Sequence, residues 1–263
     1  MKVPFAGAID CDVHPAVPDV AALKPYLDDF WCEHLSERYI DHAAFTLASY
    51  APNLPHSARP DWRPECGVPG GSLDALRAQA LDPFGTRFAI ANVLHGAVAL
   101  HNADMAAALC KAVNSYIAHE WLDREPRLRA SILVPPQDIE LAIAEIERCA
   151  ADPRFVQLLL LVMGDRPPAD IVRDHVRFTL QPLDVPNADL LNRVIDHVRS
   201  DALILFSTDY PHWRFDGADA LPDGLSDAMM RKILIDNPLA TYPRLGAAVE
   251  AEERTSLREE MAR

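Results

Sequence analysis

The stretch I-D-C-D-V-H-P, Ile9 to Pro15, reads as a strand that carries three polar side chains where an apolar face would be ordinary. Successive side chains of a strand point to opposite faces. Strict alternation therefore predicts Asp10, Asp12 and His14 on one face and Ile9, Cys11 and Val13 on the other. An unpartnered buried carboxylate costs several kcal/mol, so the polar face must meet water, a hydrogen-bonding network or a metal ion.

Moving outward, residues 16–87 read as an insertion with some helix and much loop, rich in Pro, Asn and Gly near its end at G-V-P-G-G, 67–71. A short strand follows at F-A-I-A-N-V-L, 88–94. A helix is predicted over 103–121, with Met105, Leu109, Val113, Tyr116 and Ile117 at spacings of three and four. Next come a strand at L-R-A-S-I-L-V-P, 128–135, and a helix capped by Asp138 with the stripe Ile139, Ala142, Ile143, Ile146 and Cys149. The run F-V-Q-L-L-L-L-V, 155–162, has the continuous apolarity of a strand covered on both faces. H-V-R-F-T-L-Q-P-L, 175–183, a helix over about 189–199 with Asn187 as its cap, and the strand A-L-I-L-F before S-T-D-Y complete the order.

This β-α alternation predicts a parallel sheet. No G-x-G-x-x-G or G-K-S/T follows any strand, so the reading favours a closed barrel of the (β/α) TIM type over a nucleotide-binding open sheet. The barrel is expected to be incomplete, with about six strands where eight are usual. The interval from Val162 to His175 is short for a parallel crossover, which needs roughly a dozen residues. Residues 1–246 are expected to form one α/β domain and 247–263 a charged tail.

The chain has 263 residues, 49% of them hydrophobic, and a formal net charge of -14. That charge argues against a nucleic-acid surface, which needs clustered Lys and Arg, and makes a small molecule the expected partner. The longest apolar run is too short to cross a bilayer, so no membrane is expected and a cytoplasmic location is. Five scattered cysteines, Cys11, Cys32, Cys66, Cys110 and Cys149, suit reduced structural thiols.

Active sites of parallel α/β folds gather at the carboxyl ends of strands. Asp12 and His14 stand at such an end, and so does Asp209 in S-T-D-Y-P-H-W, 207–213. Barrel closure makes first and last strands neighbours, which would let Asp12, His14 and Asp209 converge on a divalent cation; imidazole with carboxylates suits zinc first and manganese second. The plainer alternative is that Asp12 and Asp209 form turns. His212 and Trp213 are candidate substrate contacts, His95 and His101 read as loop histidines at a polar surface, and His175 as structural at the strand's opposite end.

I-D-C-D-V-H-P and F-S-T-D-Y-P-H-W together resemble the amidohydrolase-related family often called amidohydrolase 2. Supporting stretches are L-R-A-S-I-L-V-P-P-Q-D, D-P-R-F-V-Q-L-L-L, D-H-V-R-F-T and K-I-L-I-D-N-P. The family holds metal-dependent hydrolases and nonoxidative decarboxylases, among them aminocarboxymuconate-semialdehyde and resorcylate decarboxylases. The resemblance implies a (β/α) barrel with one catalytic divalent ion at its carboxyl rim. Asp12 and His14 fall on the first-strand ligand pair, and Asp209 falls on the last-strand aspartate that binds metal and handles a proton. The family's histidines at the fifth and sixth strands have no counterpart, as if those β-α units were absent. The expected activity is hydrolysis or nonoxidative decarboxylation of a small organic acid or cyclic substrate; the alternative is a noncatalytic remnant that binds a small molecule or protein. An unclosed barrel exposes strand edges, which makes a homodimer the expected assembly.

Overall fold

The computed structural model describes residues 5–40, 58–159, 176–180, 187–198, 200–211, 217, 220–221 and 223–251. Four strands, β1 (Ile9–Val13), β2 (Phe88–Ala91), β3 (Leu128–Leu133) and β4 (Phe155–Leu159), form a parallel sheet in sequence order. A parallel pair, β5 (Phe178–Thr179) and β6 (Ile204–Leu205), stands beside β1. Cys11 N–H donates to the Phe206 carbonyl (3.0 Å), and a parallel bridge joins Val13 to Tyr210. The order is therefore β5-β6-β1-β2-β3-β4, an incomplete α/β barrel in which the first and last strands adjoin as closure requires.

Helix α1 (Asp29–Glu37) lies in the segment after β1, of which residues 41–57 fall outside the described residues. Helix α2 (Ala103–Ile117) begins at Asn102, whose side chain accepts from Met105 N–H, and runs on as a wider turn to Leu122. Its Leu109, Cys110, Val113 and Ile117 pack with Ala89, Ala91 and Ala130; the small strand residues let the helix approach. Helix α3 (Ile139–Ala150) is capped by Asp138, as expected, and α4 (Ala188–Val198) by Asn187, whose Oδ1 accepts from Leu190 N–H (3.0 Å).

Three expectations change. Ile139 and Ile143 of the α3 stripe are exposed, because the helix turns Glu145 inward, where Asn114 Nδ2 (2.7 Å) and Arg148 hold its carboxylate. Strand β4 is not covered on both faces: Leu158 is 39% exposed, and among the described residues no strand pairs with its outer edge. Residues 160–175, including the short crossover and His175, lie outside the described residues.

The third change concerns β1 itself. Ile9 pairs with Phe88 and Asp10 with Ala89, but Val13 pairs with Ala91, so three steps along β1 match two along β2. This one-residue bulge breaks the alternation: Val13 packs in the cluster that holds the α2 residues, while Ile9 and Cys11, on either side of Asp10, lie in the other with Phe88, Ile90 and Leu205. Asp10 thus turns its carboxylate to Thr208 and to Asp12 N–H (3.2 Å) and does not join the side chains of Asp12 and His14.

That second face is covered by the chain's own end. Residues 243–251 are helical, and Tyr242, Leu245 and Val249 pack on Ile9, Cys11, Phe88, Ile90 and Leu205. Arg244 donates to the carbonyls of Asp152 and Phe155, carrying the contact across to β4. The start of the expected tail is therefore packed; residues 252–263 lie outside the described residues. In K-I-L-I-D-N-P, Asn237 Nδ2 donates to the carbonyls of Asp201 (2.8 Å) and Ile204 (3.0 Å), and Ile233 C=O accepts from Phe206 N–H (3.2 Å). This motif fixes β6 and with it the loop that carries Asp209.

Candidate metal centre

The bulge in β1 brings Asp12 and His14 to the carboxyl rim, and the loop after β6 delivers Asp209 from the neighbouring strand. His14 Nε2 lies 2.9 Å from Asp209 Oδ1 and 3.4 Å from Asp12 Oδ1. One ligand atom from each of the three residues falls within 4.8 Å of the others. An ion with donors at about 2.1 Å holds neighbouring donors roughly 3.0–3.4 Å apart for angles between octahedral and tetrahedral, so the His14 separations fit a divalent cation.

The orientation of His14 agrees. Its Nδ1 lies 2.8 Å from the Asn92 carbonyl, which can only accept, so Nδ1 carries hydrogen and Nε2 turns to the carboxylates. A metal-binding imidazole uses the same arrangement, with one nitrogen donating to a carbonyl and the other free to ligate. Burial by itself lowers the pKa of this imidazolium; the charge of Asp12, the hydrogen bond and charge of Asp209, and the Asn92 carbonyl outweigh it and raise the value to about 9.

Asp209 adopts φ 54°, a left-handed conformation that Asp tolerates better than most residues. The residues beside it are well anchored. Thr208 donates its N–H to Asp10 Oδ1 (3.0 Å) and its hydroxyl to Asp10 Oδ2, tying the β6 loop to β1 one residue from Asp209. Burial raises the Asp10 pKa to about 7, against the lowering effect of the Thr208 bonds. Tyr210 is buried, packs its ring on Trp62 (4.8 Å between centroids) and donates its hydroxyl to Gln79. Arg59 lies over the Trp62 ring, and Gly70 abuts the His14 carbonyl, so the segment around 58–71 walls the rim.

Asp12, His14 and Asp209 are brought together; His212 and Trp213 lie outside the described residues. His95 is not at a polar surface as expected: it is 3% exposed, its Nδ1 accepts from Ala97 N–H (3.2 Å), and burial lowers its pKa to about 4. His101 is exposed and stands apart from the cluster. Cys11 is buried against the C-terminal helix, and all five cysteines are free thiols.

Sequence reasoning missed a polar layer beside the site. Asn92 Nδ2 donates to Asp12 Oδ1 (2.7 Å), and Asn92 Oδ1 accepts from the Ser131 hydroxyl and Gln157 Nε2 (3.0 Å). A signal was present: Asn is depleted in strands, and Asn92 stands at the carboxyl end of β2.

The fold is an incomplete parallel α/β barrel, and its carboxyl rim carries a carboxylate-imidazole cluster that could hold a metal ion. Residues 9–191 match the family model described as Amidohydrolase, and the chain belongs to that family. Among solved structures it is similar to 2,6-dihydroxybenzoate decarboxylase from Rhizobium (14% identity, TM-score 0.61, 90% of this chain and 98% of that one). It is similar also to an amidohydrolase from Mycobacterium avium subsp. paratuberculosis K-10 (13%, TM-score 0.60, 90% and 99%). A third is the dihydroxybenzoic acid decarboxylase from Polaromonas sp. JS666, with bound manganese and the inhibitor 2-nitroresorcinol (15%, TM-score 0.55, 90% and 96%). No curated protein matches. Among the described residues no helix is long and apolar enough to cross a membrane.

Proposed function

We propose that this chain is a metal-dependent hydrolase or nonoxidative carboxy-lyase acting on a small organic acid or cyclic substrate, with Asp12, His14 and Asp209 as ligands of one divalent ion. The observation that carries the reading is the convergence of these three side chains from two non-consecutive strands. Zinc and manganese both suit the donor set, and the manganese in the Polaromonas decarboxylase supports the second. Such an ion, when bound, polarises a substrate oxygen or lowers the pKa of water to about 7. Asp209 is the proton-handling group: its carboxylate lies at the rim, within hydrogen-bond reach of His14 (2.9 Å), where it would be placed to move a proton. Asp12 and His14 supply charge and orientation, and the buried Trp62–Tyr210 ring pair packs beside Asp209. The names of the Rhizobium and Polaromonas relatives favour decarboxylation of a hydroxylated benzoate as the first activity to assay.

The second reading, a noncatalytic relative, is favoured by one observation: among the described residues no fourth His, Cys, Asp or Glu joins the three. Metal analysis of protein purified without chelator, beside Asp209→Asn, separates the two. One zinc or manganese per chain that is lost in the variant, with loss of 2,6-dihydroxybenzoate absorbance in the wild type, supports the enzyme; metal-free wild type refutes it.

A further inference from the structure

We propose that Asn92 is the positioning residue of this centre: it locks the β1 bulge and thereby fixes Asp12 and His14 in place before an ion arrives. The inference rests on the metal-binding reading above. Asn92 bonds to four consecutive residues, the last three of β1 and His14 just beyond it. Its Nδ2 donates to the Cys11 carbonyl (3.3 Å) and to Asp12 Oδ1 (2.7 Å), its N–H donates to the Val13 carbonyl (2.7 Å), and its carbonyl accepts from His14 Nδ1 (2.8 Å). The bulge takes one residue of β1 out of register with β2, and the Asn92 carboxamide provides the partner for the Cys11 carbonyl there.

The carboxamide has one satisfactory orientation. Both amide hydrogens face acceptors on β1, and Oδ1 faces two donors, the Ser131 hydroxyl and Gln157 Nε2. A flipped amide would set oxygen against Asp12 Oδ1 and the Cys11 carbonyl, and nitrogen against Gln157 Nε2. Because Asn92 is itself held from β3 and β4, the position of Asp12 is set by the sheet rather than by its own rotamer preference. Removing the carboxamide lets Asp12 swing away and lets β1 relax toward a regular register, which would turn Asp12 outward.

The test is titration of metal-free wild type, Asn92→Ala and Asn92→Asp with Mn2+ and with Zn2+, alongside Glu125→Gln, a change near the opposite, amino end of β3. Asn92→Asp keeps the shape and an acceptor for Ser131 and Gln157 while removing the Nδ2 donors to Cys11 and Asp12, the backbone bonds to Val13 and His14 persisting in both variants, so it remains informative if the alanine variant folds poorly. The expected result is a Kd about 10- to 100-fold weaker in the Asn92 variants and unchanged in Glu125→Gln. Asn92 variants that bind within about threefold of wild type overturn the inference against that expectation. Equal weakening in Glu125→Gln overturns it too, because the effect would then be general loosening. Wild type that binds neither metal overturns this inference together with the metal reading; wild-type binding with no Asn92 effect overturns this inference alone.

Discussion

Glu125, just before β3, carries the best-defined electrostatic contribution to folding. Its side chain is 5% exposed and receives Arg77 Nε at 2.8 Å and Arg127 Nε at 2.8 Å, with Arg127 Nη2 and the Arg127 backbone N–H as further donors. Burial opposes the charge, but these donors outweigh it and lower the pKa from 4.5 to about 2. A carboxylate whose pKa is depressed on folding stabilises the fold above its unfolded pKa, and the contribution is lost as pH falls toward the folded value. Linkage between 4.5 and 2 gives about 3 kcal/mol at pH 7, about 2.5 kcal/mol at pH 4 and about 1.4 kcal/mol at pH 3. Glu125→Gln removes this pH-dependent part while keeping the shape. Urea denaturation of both proteins from pH 7 to pH 3 is therefore expected to show a stability gap near 3 kcal/mol that roughly halves across the acid end. A gap that stays constant with pH, or no gap at pH 7, would refute the assignment of the low pKa to the arginine pair.

Three further outcomes are expected. In Gly70→Ala the new Cβ would lie 2.5 Å from the His14 carbonyl oxygen at a backbone φ of +75°, so loop and ligand strand must separate. Manganese affinity measured by calorimetry should fall at least about tenfold, a displacement of an ångström being enough for such losses, while the far-UV circular dichroism stays unchanged. Asn114→Ala leaves the Leu133 N–H and carbonyl without their side-chain partner (2.9 and 2.8 Å) and should cost about 2–4 kcal/mol in urea denaturation. In Thr208→Val the Asp10 carboxyl loses its hydroxyl donor; thermal denaturation should show destabilisation of about 1–3 kcal/mol at pH 8, and an unchanged Tm would contradict the tie between β1 and the β6 loop.

Much of the fold was legible because local signals agree with the tertiary result. The Asp138 and Asn187 caps, the α2 stripe and six strand segments follow from spacing and side-chain chemistry. The neighbouring of β1 and β6 followed from a general property of barrels. The faces of β1 did not, since a bulge is set by partners on β2 and β6 and a single extra residue inverts every later side chain. The same holds for α3: its apolar stripe is real, but the burial of Glu145 is decided by Asn114 on another helix. His95 was misread because nothing local reveals that the chain after β2 runs inward. At the site, the convergence of Asp12, His14 and Asp209 was legible from residue type and strand position, whereas Asn92 makes four bonds to residues 11–14 that no single-strand pattern contains.

The strand order explains how a site can be assembled on a shortened barrel. Asp12 comes from β1 and His14 from just beyond it, Asn92 follows β2 and Asp209 lies in the loop after β6, and these three strands are contiguous at the centre of β5-β6-β1-β2-β3-β4. The interval between β4 and β5 falls at the two ends of that order. A barrel open at those two ends still keeps together the three strands that carry the cluster. What it does change is the inner face, where side chains of opposing strands would ordinarily pack on one another. Here Tyr242, Leu245 and Val249 take that role, and Arg244 spans to the carbonyls beside β4. The covering helix meets the inner face at Ile9, Cys11, Phe88, Ile90 and Leu205, and the cluster lies beyond it at the carboxyl rim. Glu125 precedes β3 at its amino end, away from the rim that carries Asp12, His14 and Asp209, which is why it is chosen as the folding perturbation to set beside changes at the centre.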